Sequence, residues 1–183
     1  YFGCLPNITI AAPRNEWMLR QMMYTASLAD HPTVIRYPRG IGEGMIWRDT
    51  QFEELIEGRG EQLREGTDIA IIGIGTMVNV AMRAAEKSSR SVAVYDMRYA
   101  KPRDTELIEE IGAKFSRIIT IEDGIIRGGV GEAILAHLAR KGYTPKVKTL
   151  GIDDYFVHHG KPSELYAECG YDEEALLTTI NNM

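Results

Sequence analysis

The sequence predicts an α/β protein with a largely parallel sheet covered by helices on both faces. Two observations carry this. From Thr67 onward, apolar runs of strand length alternate with segments of helical period, the pattern of βαβ units. The composition, 44% hydrophobic and 26% charged, is that of a globular chain able to offset its folding entropy. The longest apolar runs, Ile69–Ile72 and Ile118–Ile121, are strand-sized and far short of the ~18 residues of a membrane span.

Taken in order, Ile8–Ala12 is a β-type run stopped by Pro13. From Asn15 to Ala29, Trp17, Met18, Gln21, Met22, Thr25 and Leu28 recur at three- and four-residue steps, a helix with Asn15 as its N-cap. Thr33–Tyr37 is β-branched and aromatic and ends at Pro38. This strand-helix-strand unit is too small to bury both faces alone and reads as the tail of a larger α/β domain. The opening residue, Tyr1, fits a chain that starts inside a longer gene product. Residues 40–66 carry repeated glycines and acids and read as a linker, with a short strand or helix near Phe52–Ile56.

The alternation then gives a strand over Asp68–Ile74, a helix capped by Thr76 and running to Lys87, and a strand over Ser91–Asp96. Ala81, Ala84 and Ala85 let that helix pack closely on the sheet. A second helix is capped by Asp104 and ends at Lys114, with acids early and a lysine late, as the helix dipole favours. Arg117–Glu122 is a strand, Gly129–Arg140 a helix closed by Gly142, and Lys146–Ile152 a strand. Two short helices, near Ser163–Cys169 and Asp172–Asn181, follow.

The net charge of −5 makes nucleic acid a poor default partner, since a phosphate backbone wants a basic surface. Cys4 and Cys169 lie far apart, form no C-x-x-C pair and read as reduced thiols of a cytosolic protein. No signal peptide opens the sequence.

Few motifs suggest chemistry. Gly73-Ile74-Gly75 follows a strand and opens a helix, with Asp96 about 20 residues on, as in a dinucleotide site. Val78 stands where the third glycine belongs, so a tight turn without cofactor is favoured. Gly128-Gly129-Val130-Gly131 offers backbone N–H groups for an anion, or simply a close backbone approach. Glu122-Asp123 and Asp153-Asp154 are paired acids that could bind a metal or move protons, but adjacent strand residues point to opposite faces and cooperate poorly, and a solvated strand end or a polar contact across an interface suits them at least as well. His158 and His159 lie in a loop near Asp154, an arrangement open to acid–base pairing; His137 reads as structural or exposed. G-x-S-x-G and H-E-x-x-H are absent, which argues against a self-contained hydrolase or metalloenzyme. Arg36-Tyr37-Pro38-Arg39-Gly40 stands out: guanidinium groups at a sharp strand ending suit bidentate phosphate or carboxylate binding. They equally suit a salt bridge at a domain boundary, and the residues alone do not choose.

Tyr37-Pro38-Arg39-Gly40, with Leu5-Pro6-Asn7 and Gln21–Thr25 before it, resembles the 1-deoxy-D-xylulose-5-phosphate synthase family of transketolase-like thiamine diphosphate enzymes. Asp96–Asp104, Ile121-Glu122-Asp123 with Gly128–Gly131, and Gly151–Gly160 resemble further family stretches in the family's order. The resemblance implies residues 1–40 as the end of a pyrimidine-binding domain, 41–66 as linker, and 67–183 as a transketolase C-terminal-type domain. That domain is a three-layer α/β/α unit with a mixed, mostly parallel five-stranded sheet. It implies a homodimeric cytoplasmic enzyme that uses thiamine diphosphate and magnesium to condense pyruvate with glyceraldehyde 3-phosphate, feeding isoprenoid, thiamine and pyridoxal synthesis. The metal and cofactor residues would lie upstream of Tyr1, so no catalytic, cofactor or metal residue is expected here. One site residue carries over: Arg39, which matches the arginine that binds the acceptor's phosphate. Arg36 is assigned to structure. Arg14-Asn15, Arg103 and Asp153 depart from the family pattern. The alternatives are a segment of a transketolase or of a 2-oxo acid dehydrogenase beta subunit, or a non-catalytic α/β oligomerisation module.

Overall fold

A computed structural model describes residues 2–183; Tyr1, the first residue of the expected domain remnant, lies outside them. After a 3-10 turn at Phe2–Cys4 come β1 (Thr9–Ala11), α1 (Glu16–Leu28), β2 (Thr33–Ile35), β3 (Glu61–Arg64) and β4 (Ile69–Gly73). Then follow α2 (Met77–Lys87), β5 (Val92–Asp96), β6 (Tyr99–Lys101), α3 (Thr105–Lys114) and β7 (Arg117–Ile125). The chain ends with α4 (Val130–Arg140), β8 (Lys146–Ile152), α5 (Pro162–Glu168) and α6 (Glu173–Asn182).

The main sheet has five strands in the order β3-β5-β4-β7-β8, parallel except for β3, which runs antiparallel to β5. Its strands alternate faces, and two apolar cores result. Ile69, Ile71, Val92, Val94, Ile119 and Ile121 meet Ala81, Ala84 and Ala85 of α2 and Leu176 and Ile180 of α6. Ala70, Ile72, Ala93, Tyr95 and Ile118 meet Ile108 and Ile111 of α3 and Ile134 and Leu138 of α4. The three-layer α/β/α architecture follows from this two-sided burial.

The second sheet is small, in the order β2-β1-β6. β1 and β2 pair in parallel around α1, whose buried Met18 and Met22 pack with Ala11 and Tyr99. Asn15 caps α1, its Oδ1 accepting from the Met18 N–H at 2.9 Å. β6 comes from the other part of the chain and pairs antiparallel with β1.

Four expectations change. The stretch 41–66 contains β3, the antiparallel edge of the main sheet, and Phe52–Ile56 is irregular instead of strand or helix. β6 has no counterpart in the expected strands. Thr76 is itself helical (φ −63°, ψ −18°), and its side chain makes no capping bond to α2, which is entered directly from the Gly75 turn (φ +61°). β7 runs on past Glu122 to Ile125. Asp104 caps α3 as expected, accepting from Leu107 N–H at 3.0 Å, and also accepts from Gly60 N–H at 3.0 Å.

Candidate functional site

β2 ends where its backbone leaves β1. Arg36 N–H still donates to Ala11 O at 2.8 Å, and beyond it the chain continues without regular structure. Pro38 fixes φ there and removes a donor, which is why the strand stops. Arg39 follows, exposed, with no hydrogen bond or ion pair to any described residue. Its neighbours Tyr37, Pro38 and Gly40 line a cleft of about 160 Å³ against Pro13 and Asn15 at the start of α1 and Thr76 before α2. Gly42, Glu43 and Glu16 also line the cleft, and the backbone there closes on Glu16. Gly44 N–H donates to Glu16 Oε1 at 2.8 Å, and a Cβ on Gly42 would stand 2.0 Å from that oxygen. Backbone N–H groups hold the Glu16 carboxyl below its usual range, its own N–H first and Gly44 next. Glu16 Oε2 is buried without a partner.

Arg36 and Arg39 thus separate in role. The Arg36 guanidinium reaches Asp123 Oδ2 at 3.2 Å, the domain-boundary salt bridge that the sequence left open. The Asp123 carboxylate also accepts from Tyr171 O–H at 3.1 Å and Tyr166 O–H at 3.4 Å. Burial, and then the Asp123 charge, push both phenols above their ordinary pKa, so they stay protonated donors.

The adjacent acid, Glu122, points elsewhere. Its oxygens accept from Val130 N–H at 3.0 Å and Gly131 N–H at 2.8 Å. The anion cradle expected at Gly128–Gly131 is therefore filled by the protein's own carboxylate. Burial raises the Glu122 pKa, and the two N–H bonds oppose that rise. Side chains are excluded here: a Cβ on Gly129 would lie 2.5 Å from Glu122 Oε1, and one on Gly131 2.4 Å from Thr120 Oγ1. The close-approach reading of the glycines and the opposed directions of the two acids both hold.

The crevice above Gly73-Ile74-Gly75 is closed from the N-terminal side. A Cβ on Gly75 would meet Ala12 Cβ at 3.5 Å, and Asn79 Nδ2 donates to Arg14 O at 2.7 Å. Asp96, the acid spaced for a ribose, is fully buried and paired with Arg14 at 3.1 Å. It also accepts from Arg98 N–H at 2.9 Å. Burial outweighs these partners and raises its pKa to about 6. Arg14 also meets Glu61 at 3.2 Å, and Arg98, at φ +56°, pairs with the same Glu61.

The histidines scatter. His31 bridges Thr9 Oγ1 and Glu57 Oε2 at 3.0 Å each, tying β1 to the segment before β3. His137 pairs with Glu109 at 3.0 Å. His158 and His159 are exposed, and Asp154 pairs with Arg127 at 3.2 Å; among the described residues neither histidine joins it. Cys4 is exposed, and Cys169 is half-buried with its Sγ accepting from Tyr155 O–H at 3.3 Å. Sequence reasoning missed Arg14 as an organiser of the boundary, whereas Asp123 makes the polar contact across an interface that was one reading of its acid pair. The signal for Arg14 was its place directly after Pro13 at a strand end, facing a chain rich in acids.

The family model for the transketolase C-terminal domain matches residues 58–176. A 1-deoxy-D-xylulose-5-phosphate synthase of Bacteroides thetaiotaomicron is 50% identical over 181 residues, covering 96% of this chain and 28% of that protein. Proteins of the same name from Cytophaga hutchinsonii and Nitrosospira multiformis are 42% and 39% identical, covering 100% and 98% of this chain and 29% of each. The chain therefore spans under a third of the length of these relatives. Among solved structures, a split-gene transketolase described as an inactive beta4 tetramer superposes with a TM-score of 0.82 at 27% identity, covering 98% of this chain and 58% of that one. The transketolase of Campylobacter jejuni shares the fold, with a TM-score of 0.69 at 16% identity over 100% of this chain and 27% of that one. A family match over most of the chain and a five-stranded α/β/α unit agree: the chain belongs to the transketolase C-terminal domain family.

Proposed function

We propose that the chain is the C-terminal part of a 1-deoxy-D-xylulose-5-phosphate synthase, a thiamine diphosphate-dependent transferase. In this reading it condenses pyruvate and glyceraldehyde 3-phosphate with loss of carbon dioxide, as a cytoplasmic homodimer. The observation that carries the reading is 50% identity over 181 residues to a protein of that name. The described residues offer little that fits a thiamine diphosphate–magnesium site. Among the described residues no three His, Cys, Asp or Glu side chains gather as a cation requires. The α4 N-terminus is already taken by Glu122. When bound elsewhere in the enzyme, the cofactor supplies the carbanion chemistry. The domain boundaries belong to the same proposal, changed in one respect from 1–40, 41–66 and 67–183: because β3 begins at Glu61, the linker is 41–60 and the C-terminal domain starts at Glu61.

The work of this chain is acceptor binding. Arg39 carries a charge with no partner among the described residues, beside a cleft, on a segment whose backbone is pinned at Arg36 and Gly44. A guanidinium so placed grips a phosphate through two parallel N–H···O bonds. The reacting carbonyl is then oriented by binding energy from the far end of the sugar.

In the full-length enzyme, Arg39→Ala raises the KM for glyceraldehyde 3-phosphate by about 10- to 100-fold, the worth of a charge-assisted bond to an anion. The KM for pyruvate stays unchanged. An unaltered acceptor KM refutes the assignment of Arg39. Failure of the full-length protein to release carbon dioxide from pyruvate in the presence of the acceptor refutes the reading of the enzyme.

A further inference from the structure

Asp123 lies on the main sheet, yet its charge is spent on a residue of the small one. It sits near the C-terminal end of β7, its side chain only 17% exposed, with Arg36 as its ionic partner. Two phenols hold it as well: Tyr171, just before α6, donates to Oδ1, and Tyr166, on α5, donates to Oδ2, the oxygen that Arg36 also meets. The rings of these tyrosines lie 5.1 Å apart and pack as a pair. The carboxylate thus keeps two phenolic donors besides Arg36, and these tie it to α5 and to the residues before α6.

Arg36 is the last residue before Arg39 with a backbone or side-chain bond to the rest of the protein. Tyr37, Pro38, Arg39 and Gly40 make none with any described residue. The next backbone anchor is Gly44, on the Glu16 carboxylate. Three residues span at most about 10 Å, so the position of Arg36 sets where Arg39 leaves the protein surface. Pro38 stiffens that short arm and transmits the setting.

We propose that Asp123 is a positioning residue for the acceptor's phosphate. By anchoring Arg36 it places Arg39 over the cleft, and Tyr166 and Tyr171 place Asp123 in turn. This rests on the reading of Arg39 as the phosphate ligand. No contact between Asp123 and substrate is implied.

The test uses the full-length enzyme and two acceptors, glyceraldehyde 3-phosphate and unphosphorylated glyceraldehyde. Asp123→Asn breaks the ion pair at nearly constant shape. Arg36→Gln breaks the same pair from an exposed side chain and keeps the experiment decisive where the first variant folds poorly. Each variant raises the KM for the phosphorylated acceptor about tenfold, since a small misplacement of a positioning group is costly. The KM for glyceraldehyde and for pyruvate stays where it was. The double variant is no worse than either single one, because one contact is lost in all three. A folded Asp123→Asn or Arg36→Gln enzyme with a normal phosphorylated-acceptor KM overturns the proposal. So does an equal rise for both acceptors, which marks general loosening. Arg39→Ala separates the two claims: if it raises the KM and the Arg36 and Asp123 variants do not, the positioning role alone fails. If it does nothing, the phosphate assignment fails first.

Discussion

Asp96→Asn should flatten one part of the pH profile of stability. Asp96 is fully buried at the end of β5, and its pKa rises from 3.8 to about 6 because burial outweighs the pull of Arg98 N–H and Arg14. A raised acid pKa means that the folded state holds the proton more tightly than the unfolded chain. Stability from this group is therefore greatest below about pH 4 and is lost as pH rises toward 6. A shift of roughly two units at 1.36 kcal/mol each gives about 3 kcal/mol across that window. Other groups overlap it. His31, raised first by Asp30, also favours the folded state as pH falls. Glu109 and Glu173 are lowered, by Lys141 and Lys87 first, and oppose it in more acid solution. The difference between wild type and variant isolates Asp96, because the asparagine does not titrate and any loss of its bond to Arg14 is a constant offset. The assay is urea unfolding at half-unit steps from pH 4 to 7.5, followed by the fluorescence of Trp17 and Trp47. The stability difference between the two proteins should change by about 2 kcal/mol between pH 4 and pH 6.5, the wild type losing ground as pH rises; the rest of the ~3 kcal/mol lies below pH 4, where the unfolded chain's carboxyl takes up its proton. Parallel curves would refute the reasoning, since they would mean that Asp96 titrates alike in folded and unfolded chains.

Gly131→Ala places a methyl 2.4 Å from Thr120 Oγ1 and 3.2 Å from Thr149 Cγ2, between β7, β8 and the start of α4. It should cost about 1–3 kcal/mol of unfolding free energy in urea, whereas relief by a simple rotation of Thr120 would leave it near zero. Ile71→Ala, on the central strand with no exposure at all, should cost about 2–5 kcal/mol by the same assay. The Arg39 and Asp123 variants above complete the set, and they act on the acceptor KM instead of on stability.

The main sheet is legible because β4, β5 and the first half of β7 are apolar and largely β-branched, and its helices each carry an apolar face. β8 was read to the residue, and Asn15 and Asp104 were read as caps because a short polar side chain before a periodic run has few other uses. β3 was hidden by its own character. It is an edge strand made of Glu61, Gln62, Leu63 and Arg64 between glycines, and charge on an edge is how sheets avoid further pairing. β6 is three residues, squeezed between Arg98 at positive φ and Pro102, and its partner lies some 90 residues away. Nothing local encodes such a pairing. At the site, the resemblance supplied Arg39, but Arg36 could be assigned only once Asp123 was seen to face it. The side on which each of two neighbouring acids lies is plain from strand geometry; what each meets there depends on elements far along the chain.

The pairing of β6 with β1 has a mechanical consequence. The three-strand sheet is a splice: one of its strands is threaded in from the far side of the seam, by a loop that leaves β5 and enters α3. Cutting the backbone between Gly40 and Gly60 therefore does not yield two free bodies, because the severed halves stay zipped along Ile10–Lys101 and Ala11–Tyr99.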